Sequence, residues 1–393
     1  MFLVARRISA LREGFARAAN RQIRHVARRR VRNEHERRLL RYDCDPLTVV
    51  APPSGVLPSR EWEVLLPEIE ARRPVWRSYA MKTIVTLTLN PSIDGAAQAV
   101  VVRPTQKIRT SDERYDPGGG GINVARVVQE LGGMTLAAYL AGGATGGVLD
   151  ELLDAAAITR RRVSIQDHTR ISHAVYERSS GQEYRFVPAG PVVQESEWRA
   201  LLALLENLDC DYLVASGSLP RGVPDDLYGT VADLARRKGA RLVLDASGSA
   251  LRAGLARGVH LVKPSLSELE TLLGRKLLDQ TSQEAAAQEL VESGAAELVA
   301  LTLGRDGALL ATSGRTQRLP ALKVAVKSAV GAGDCFVAAM TLGLARGRSA
   351  RDAFGYGMAA GAAAVLSAGT GLCRREDVER LYDEMKSWEL SGR

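Results

Sequence analysis

The stretch YLVASGSLPRGVPDDLYGTVADLARRKGARLVLDASGSALRAGLARGVHLVK, residues 212–263, decides the fold. Tyr212–Ala215, Arg241–Asp245 and His260–Lys263 are short runs rich in Val and Leu, with apolar residues side by side rather than alternating. Such runs suit strands buried on both faces. Helical stretches lie between them, Asp226–Lys238 among them. Strand, helix and strand in series mean parallel strands joined by crossovers, and so an α/β sheet covered on both faces. Ligands of such sheets bind beyond the carboxyl ends of the strands. Polar or glycine-rich turns fall there: Ser216–Ser218, Asp245–Gly248 and Lys263–Ser265.

The same alternation extends outward. Thr83–Leu89 (TIVTLTL) is rich in β-branched residues and reads as a strand, broken by Asn90-Pro91-Ser92 shortly before Asp94. Ala99–Arg103, Ala174–Arg178 and Glu183–Val187 read as short strands, the last two joined by a hairpin turn over Ser179–Gln182. Glu197–Leu208 and Ser282–Ser293 read as helices, and strand Leu298–Leu303 runs into the turn Gly304–Gly307. Three helices close the chain, Asp334–Arg346, Ala350–Ala364 and Arg375–Leu390. No internal repeat is visible.

The composition, 46% hydrophobic and 25% charged, excludes wholesale disorder. No apolar run reaches the roughly 18 residues of a membrane span. The cysteines, at 44, 210, 335 and 373, form no CxxC pair, which removes zinc-ribbon and thioredoxin-like readings and makes a reducing cytoplasm the expected compartment. The net charge of +8 resides in residues 1–80, which hold 17 Arg, no Lys and nine acidic residues. Residues 81–393 are balanced, so no nucleic-acid or membrane partner is expected for them. Within 1–80 a Pro-rich segment, 46–60, reads as a linker. The basic extension fits an amphipathic helix at a membrane or RNA surface. It fits a transit peptide poorly, being neither acid-poor nor Ser-rich. The plainest expectation is that Met81 is the natural start and 1–80 has no selected fold, because Met81-Lys82 leads straight into a strand.

Two segments carry chemistry. In Pro117-Gly118-Gly119-Gly120-Gly121-Ile122-Asn123, four glycines run into an expected helix, Ile122–Leu131. Glycines let backbone approach a ligand, and a helix start offers free N–H groups for a sugar or phosphate oxygen. The dinucleotide fingerprint fails, because Asn123 stands where its third glycine belongs. In Val330-Gly331-Ala332-Gly333-Asp334-Cys335-Phe336, a glycine-rich turn opens a helix, and its successive N–H groups form an anion nest. An acidic residue beside bound phosphate is repelled, unless it is a base that takes a proton from the attacking hydroxyl. The alternative is that Asp334 merely caps the helix. GxxxxGK[ST], HExxH and GxSxG are all missing, so P-loop, zincin and α/β-hydrolase readings lose their main motif.

GGGGINVAR (118–126), SGSLPRGVP (216–224), LVKPSLSELE (261–270), TLGRDGA (302–308) and VKSAVGAGD (326–334), in this order, resemble the PfkB/ribokinase family of sugar kinases. TLTLNPSID (86–94), AGGATG (141–146) and EYRFVPAG (183–190) point to its 6-phosphofructokinase branch. The resemblance spans nearly all of 81–393 and nothing in 1–80. It implies a three-layer α/β/α ribokinase-like fold with a small β-sheet lid from about 94–112 and 168–188. It also implies a homodimer through the lids and MgATP-dependent phosphorylation of a primary sugar hydroxyl.

Carried onto this sequence, the family makes Asp334 the catalytic base and Gly331, Ala332 and Gly333 the anion hole. Asp94 would accept hydrogen bonds from sugar hydroxyls, with Gly119, Gly120 and Asn123 as further sugar-side residues. Lys107 and Arg170 would sit near the sugar phosphate, where Arg can bind in a bidentate way. Lys263, Glu268, Thr302, Gly304 and Gly307 would form the nucleotide and Mg²⁺ side, Glu268 acting on the metal mainly through water. Ser367 and Gly369 would flank the adenine. A monovalent cation such as K⁺ is common in the family near 326–334. Ser265 departs from the usual Asn of KPNxxE, and Gly371 stands where close relatives have Arg. Gly120 in place of a Lys favours fructose 6-phosphate, phosphorylated at its C1 hydroxyl, over the 1-phosphofructokinase, tagatose-6-phosphate kinase or other sugar-kinase alternatives. A non-catalytic sugar-phosphate sensor is the reading from a different class, against which an intact Asp334 argues.

Overall fold

The computed structural model describes residues 82–390. The chain enters with β1 (Ile84–Thr88), β2 (Ser92–Ala99), β3 (Thr110–Gly118), α1 (Gly120–Glu130), β4 (Thr135–Gly142) and α2 (Gly143–Ala155). There follow β5 (Arg160–Ile165), β6 (Arg170–Glu177), β7 (Gln182–Phe186), α3 (Glu195–Glu206), β8 (Tyr212–Ser216), α4 (Leu227–Lys238), β9 (Arg241–Asp245) and α5 (Gly248–Leu255). Then come β10 (Val259–Val262), α6 (Leu266–Leu273), α7 (Gln280–Glu292), β11 (Ala296–Thr302), β12 (Ala308–Thr312) and β13 (Arg315–Leu319). Helices α8 (Ala332–Ala345), α9 (Ala350–Ala364) and α10 (Arg375–Leu390) close the described chain.

Nine strands form the central sheet in the order β13-β12-β11-β10-β9-β8-β1-β4-β5. From β11 to β5 all neighbours are parallel, as the strand–helix alternation requires. β12 and β13 are antiparallel additions at one edge, since the connections before them are too short to hold a crossover. Successive strand residues feed opposite cores, which is why these strands read as continuous apolar runs. On one face Leu87, Leu213, Leu244 and Leu301 pack with Leu205, Tyr228, Leu251 and Leu290 of α3, α4, α5 and α7. On the other face Ile84, Tyr212, Val214 and Leu261 pack with Val124, Phe336, Phe354 and Leu381 of α1, α8, α9 and α10. Three layers result, as expected. Every residue of α8 from Cys335 to Ala345 is buried, matching a helix that is apolar all round.

The lid is a second, four-stranded sheet, β3-β2-β6-β7, in which β2 and β6 are parallel and the outer pairs antiparallel. Its first half runs from Ser92 to Gly118, beyond the 94–112 expected. The strand expected at Ala99–Arg103 is not there: β2 ends at Ala99, and Val100 is exposed in the connection to β3. Asn90-Pro91 carries the chain from the end of β1 into the lid, and Gly118-Gly119 carries it back into α1. Both crossings lie at the carboxyl end of β1, and they bring Asp94 beside the glycine run. The readings for residues 1–80 lie outside the described residues. No described helix is long and apolar enough to cross a membrane.

Candidate active site

Asp94 sits on β2 directly opposite Asp116 of β3. Its Oδ1 accepts a 2.6 Å hydrogen bond from the Ser92 hydroxyl. A Cβ on Gly118 would lie 2.0 Å from Asp94 Oδ2, so only glycine lets this carboxylate lie against the returning strand. Burial raises the pKa of Asp94, opposed by the Ser92 hydroxyl and by Arg170, Arg126 and Arg185.

Asp334 lies in the first turn of α8, whose N-cap is Gly331 in the left-handed conformation. It does not cap the helix, which disposes of the plain structural reading of the motif. Its Oδ2 instead accepts a 2.9 Å hydrogen bond from Nδ2 of Asn123 on α1. Burial pushes its pKa up to about 7, with Asp245 and Asp94 adding to the rise and Asn123 and Lys263 resisting it. A carboxylate so tuned is half-ready to accept a proton near neutrality. The amides of Gly331, Ala332 and Gly333 open α8 beside it, as an anion nest requires.

Asp94, Asn123, Gly119, Gly331 and Asp334 line one cavity of about 170 Å³. Arg170 and Arg185 line it from the lid. Arg170 spends two donors on the carbonyls of Pro188 (3.0 Å) and Asn90 (2.9 Å), while its buried Nε has no partner in the chain. Two sugar-side expectations change. Lys107 is exposed in the connection between β2 and β3 and does not line the cavity. Gly120 does not line it either; a Cβ there would lie 2.2 Å from Ser216 Oγ, so close packing against the end of β8 already requires glycine at this position. A larger cleft of about 520 Å³, between Arg126 and Glu130 of α1 and the segment Leu372–Arg374 that leads into α10, holds none of the residues expected to bind sugar or nucleotide.

The expected nucleotide-side residues gather at the ends of β10 and β11. Lys263 is buried and pairs with Asp245 at 3.1 Å. Burial works against its charge, but Asp245 together with Glu268 and Asp334 outweighs that and raises its pKa. Its Nζ lies 3.4 Å from where a Gly333 Cβ would stand, so an ammonium faces the anion nest. Ser265 caps α6, and Glu268 Oε2 returns the bond, accepting from the Ser265 amide at 2.7 Å and hydroxyl at 2.8 Å. Ser265 therefore has its own role as cap, whatever contact an Asn would add. Glu268 keeps Oε1 without a protein partner among the described residues, and a hard cation with its water shell accepts such an oxygen. Thr302 donates its amide to the Pro264 carbonyl at 2.9 Å, and Gly304 and Gly307 bracket the turn after it. Ser367 donates to the Leu372 carbonyl, and a Cβ on Gly369 would lie 3.1 Å from Ala96 Cβ on the lid. This loop therefore reaches the lid, and its Thr370 lines the sugar-side cavity.

Residues 87–377 match the family described as pfkB family carbohydrate kinase. The chain belongs to this family. The pfkB-family kinase is 46% identical over 302 residues to ATP-dependent 6-phosphofructokinase isozyme 2 of Mycobacterium tuberculosis, a match covering 76% of this chain and 89% of the relative. It is 42% identical over 304 residues to the Escherichia coli isozyme 2, covering 77% and 98%. The crystal structure of Escherichia coli phosphofructokinase-2 in complex with fructose-6-phosphate superposes with a TM-score of 0.74 at 40% identity, over 78% of this chain and all of that one. Another structure of that enzyme, in complex with potassium, gives 0.76 at 40% identity over the same shares. A 1-phosphofructokinase from Bacillus subtilis stands further off, at 30% over 78% of this chain and the whole of that one. The pfkB-family kinase is thus a phosphotransferase acting on a carbohydrate, with ATP and a divalent metal.

Several residues that line this cavity were not singled out from the sequence, Arg185, Ser172 and His173 among them. Arg185 was hidden in the alternation of EYRFVPAG, where a lone Arg looks like a solvated lid position. Asp245 opens one of the polar turns at the strand ends, but its pairing with Lys263 had no sequence signal. Ser172 and His173 of β6 line the cavity but stand in a strand read as starting only at Ala174.

Proposed function

We propose that this kinase transfers the γ-phosphoryl group of ATP to the C1 hydroxyl of fructose 6-phosphate, giving fructose 1,6-bisphosphate. The observation that carries the reading is one cavity lined by two carboxylates, Asp94 and Asp334, and two guanidinium groups, Arg170 and Arg185. A bare sugar needs no pair of arginines, whereas a sugar phosphate is recognised by them. The higher identity to 6-phosphofructokinases than to a 1-phosphofructokinase supports the same choice of substrate.

Asp94 holds sugar hydroxyls, accepting from two at once. Arg170 and Arg185 hold the 6-phosphate and so place the far end of the sugar at Asp334. Asp334 takes the proton of the C1 hydroxyl as that oxygen attacks. ATP supplies the phosphoryl group, and Mg²⁺ offsets its charge. The amides of Gly331, Ala332 and Gly333, with Lys263, face the negative charge on the transferring group. Glu268 holds the metal's water shell. The lid excludes water from the cavity. A potassium ion beside 326–334 is proposed by analogy with the potassium complex of the Escherichia coli enzyme. The exposed lid side chains Ile108, Tyr115, Tyr176 and Phe186 support a homodimer through the lids. We place the enzyme in the cytoplasm, in keeping with its free thiols at Cys210, Cys335 and Cys373.

A coupled ADP-release assay of the full chain with MgATP tests this, using fructose 6-phosphate, fructose 1-phosphate, tagatose 6-phosphate, fructose and ribose. Preference for fructose 6-phosphate, lost in Asp334→Asn, is expected. Preference for another sugar would overturn the substrate and keep the mechanism. No turnover on any of them would favour the sensor reading.

A further inference from the structure

Arg126 of α1 does not line the sugar-side cavity, yet it touches the groups around it. One terminal nitrogen donates to the Pro117 carbonyl at 2.8 Å and to Asn123 Oδ1 at 3.4 Å. The other meets Asp116 Oδ1 at 3.3 Å. Asp116 is gripped from its far side as well: Arg114 Nε lies 2.9 Å from Oδ2, and the Thr370 hydroxyl donates to Oδ2 at 2.7 Å. The chain of contacts runs from lid strand β3 through Arg126 to Asn123, and Asn123 Nδ2 continues it to Asp334 at 2.9 Å.

An amide has two ends of opposite polarity. Nδ2 turned to a carboxylate favours its ionised form, and Oδ1 turned to it favours the protonated form. Nothing in Asn123 itself chooses between the two. A cation fixed on the Oδ1 side does. We propose that Arg126, clamped by Asp116 and the Pro117 carbonyl, is a positioning residue that holds the Asn123 amide with Nδ2 facing Asp334. This rests on the reading of Asp334 as the base. A planar fork suits the task, because it reaches carboxylate, carbonyl and amide together, where an ammonium does not.

The other groups facing Asp334 keep one sign or stay neutral. Asp245 approaches from the end of β9, Lys263 from β10 and Asp94 from β2, and the Cys335 thiol is next in the chain. Behind Asp94 stand Arg170, Arg126 and Arg185. Among all these only the Asn123 amide can invert its sign towards Asp334 by turning over.

The test is a double-mutant cycle on the full chain, with kcat measured at saturating MgATP and fructose 6-phosphate for Arg126→Lys, Asn123→Ala and the pair. Arg126→Lys keeps the charge beside Asp116 and loses the fork. It is expected to lower kcat about tenfold, the worth of one charge-assisted hydrogen bond, and to move the acidic limb of the kcat profile to higher pH. KM for the sugar should change by less than about twofold, since Arg126 makes no contact in the cavity. In the Asn123→Ala background the substitution should have no further effect on kcat. Equal fold losses in both backgrounds would overturn the proposal, as would an unchanged kcat in Arg126→Lys. Should Arg126→Lys fail to fold, Asp116→Asn loosens the same clamp and must show the same dependence on Asn123. Retained turnover in Asp334→Asn would sink the parent reading and this one with it. Additive losses with Asp334→Asn inactive would sink this one alone.

Discussion

Replacing Asp334 by Asn removes the proposed base and little else, because the two side chains have nearly the same shape. General base catalysis contributes about 10²–10⁴-fold, so turnover should fall by that factor. The pH profile is the sharper measurement. With a pKa of about 7, Asp334 is ionised in roughly one tenth of free enzyme at pH 6, half at pH 7 and nine tenths at pH 8. The kcat/KM for fructose 6-phosphate should therefore rise close to tenfold across that range. An ordinary carboxylate would already be ionised throughout and give a flat line. The substrate's phosphate also titrates, near pH 6. Its limb should persist in the residual activity of Asp334→Asn, whereas the limb due to Asp334 should vanish. Stability gives an independent reading of the same group. A carboxyl whose pKa is higher folded than unfolded favours the fold at acid pH, and that contribution is lost as pH rises through 7. Asp334→Asn should thus raise Tm, and more at pH 8 than at pH 5. A flat wild-type profile, or a Tm gain independent of pH, would refute the assignment of both base and pKa.

Arg170→Met and Arg185→Met should each raise KM for fructose 6-phosphate by about tenfold or more, the worth of a charge-assisted contact, and leave KM for unphosphorylated fructose nearly unchanged; steady-state kinetics on both sugars checks this. Gly118→Ala puts a Cβ 2.0 Å from Asp94 Oδ2, so it should raise sugar KM and have little further effect in an Asp94→Asn background, which the same assay reads. Gly120→Ala forces a Cβ to 2.2 Å from Ser216 Oγ and should cost about 1–3 kcal/mol of stability by denaturant unfolding. If Gly120→Ala instead changes sugar preference with stability intact, that glycine belongs to the sugar site after all.

The sequence spoke most clearly where burial constrains both faces. β8 and β9 and the helices α4, α9 and α10 fall within a residue or so of where their patterns place them, because a strand between two cores has no freedom to be polar. The lid was less legible for the opposite reason. In β3, Thr110–Gly118, most side chains are exposed in a single chain, so TSDERYDPG shows no alternation to read. The apolar run after Ala99 misled in the same way: Val100 is exposed, and its hydrophobicity reports no core of this chain. β4, TLAAYLAG, was passed over because its small residues lack β character, although its last six positions are buried. At the site, the backbone motifs told where anions and hydroxyls could bind, since glycine is demanded by close approach. They did not tell which charged side chains would converge. Lys107 and Arg185 look alike in sequence; only lid pairing sends one into the cavity and leaves the other outside. Arg126 closes the GGGGINVAR stretch, but its partnership with Asp116 gave no signal, because it links a lid strand to a helix.

The crowding of acids around Asp334 looks like poor design until the order of events is considered. The base must be ionised before the phosphoryl group arrives, yet basic enough to take a hydroxyl proton once it has. A carboxylate of ordinary pKa meets the first demand and fails the second. Burial with Asp245 and Asp94 nearby raises its basicity, and Lys263 and the Asn123 amide keep that rise from going so far that the base stays protonated. An incoming phosphoryl group adds negative charge at the amides of 331–333 and shifts the balance again, towards proton uptake, at the moment the sugar hydroxyl must lose its proton. The balance depends on neighbours that do not drift. Lys263 is fixed by Asp245 at 3.1 Å, and the Asn123 amide has the contacts to be fixed by Arg126. The same charges that make this site costly to fold are thus the ones that would let the proposed base work near neutral pH.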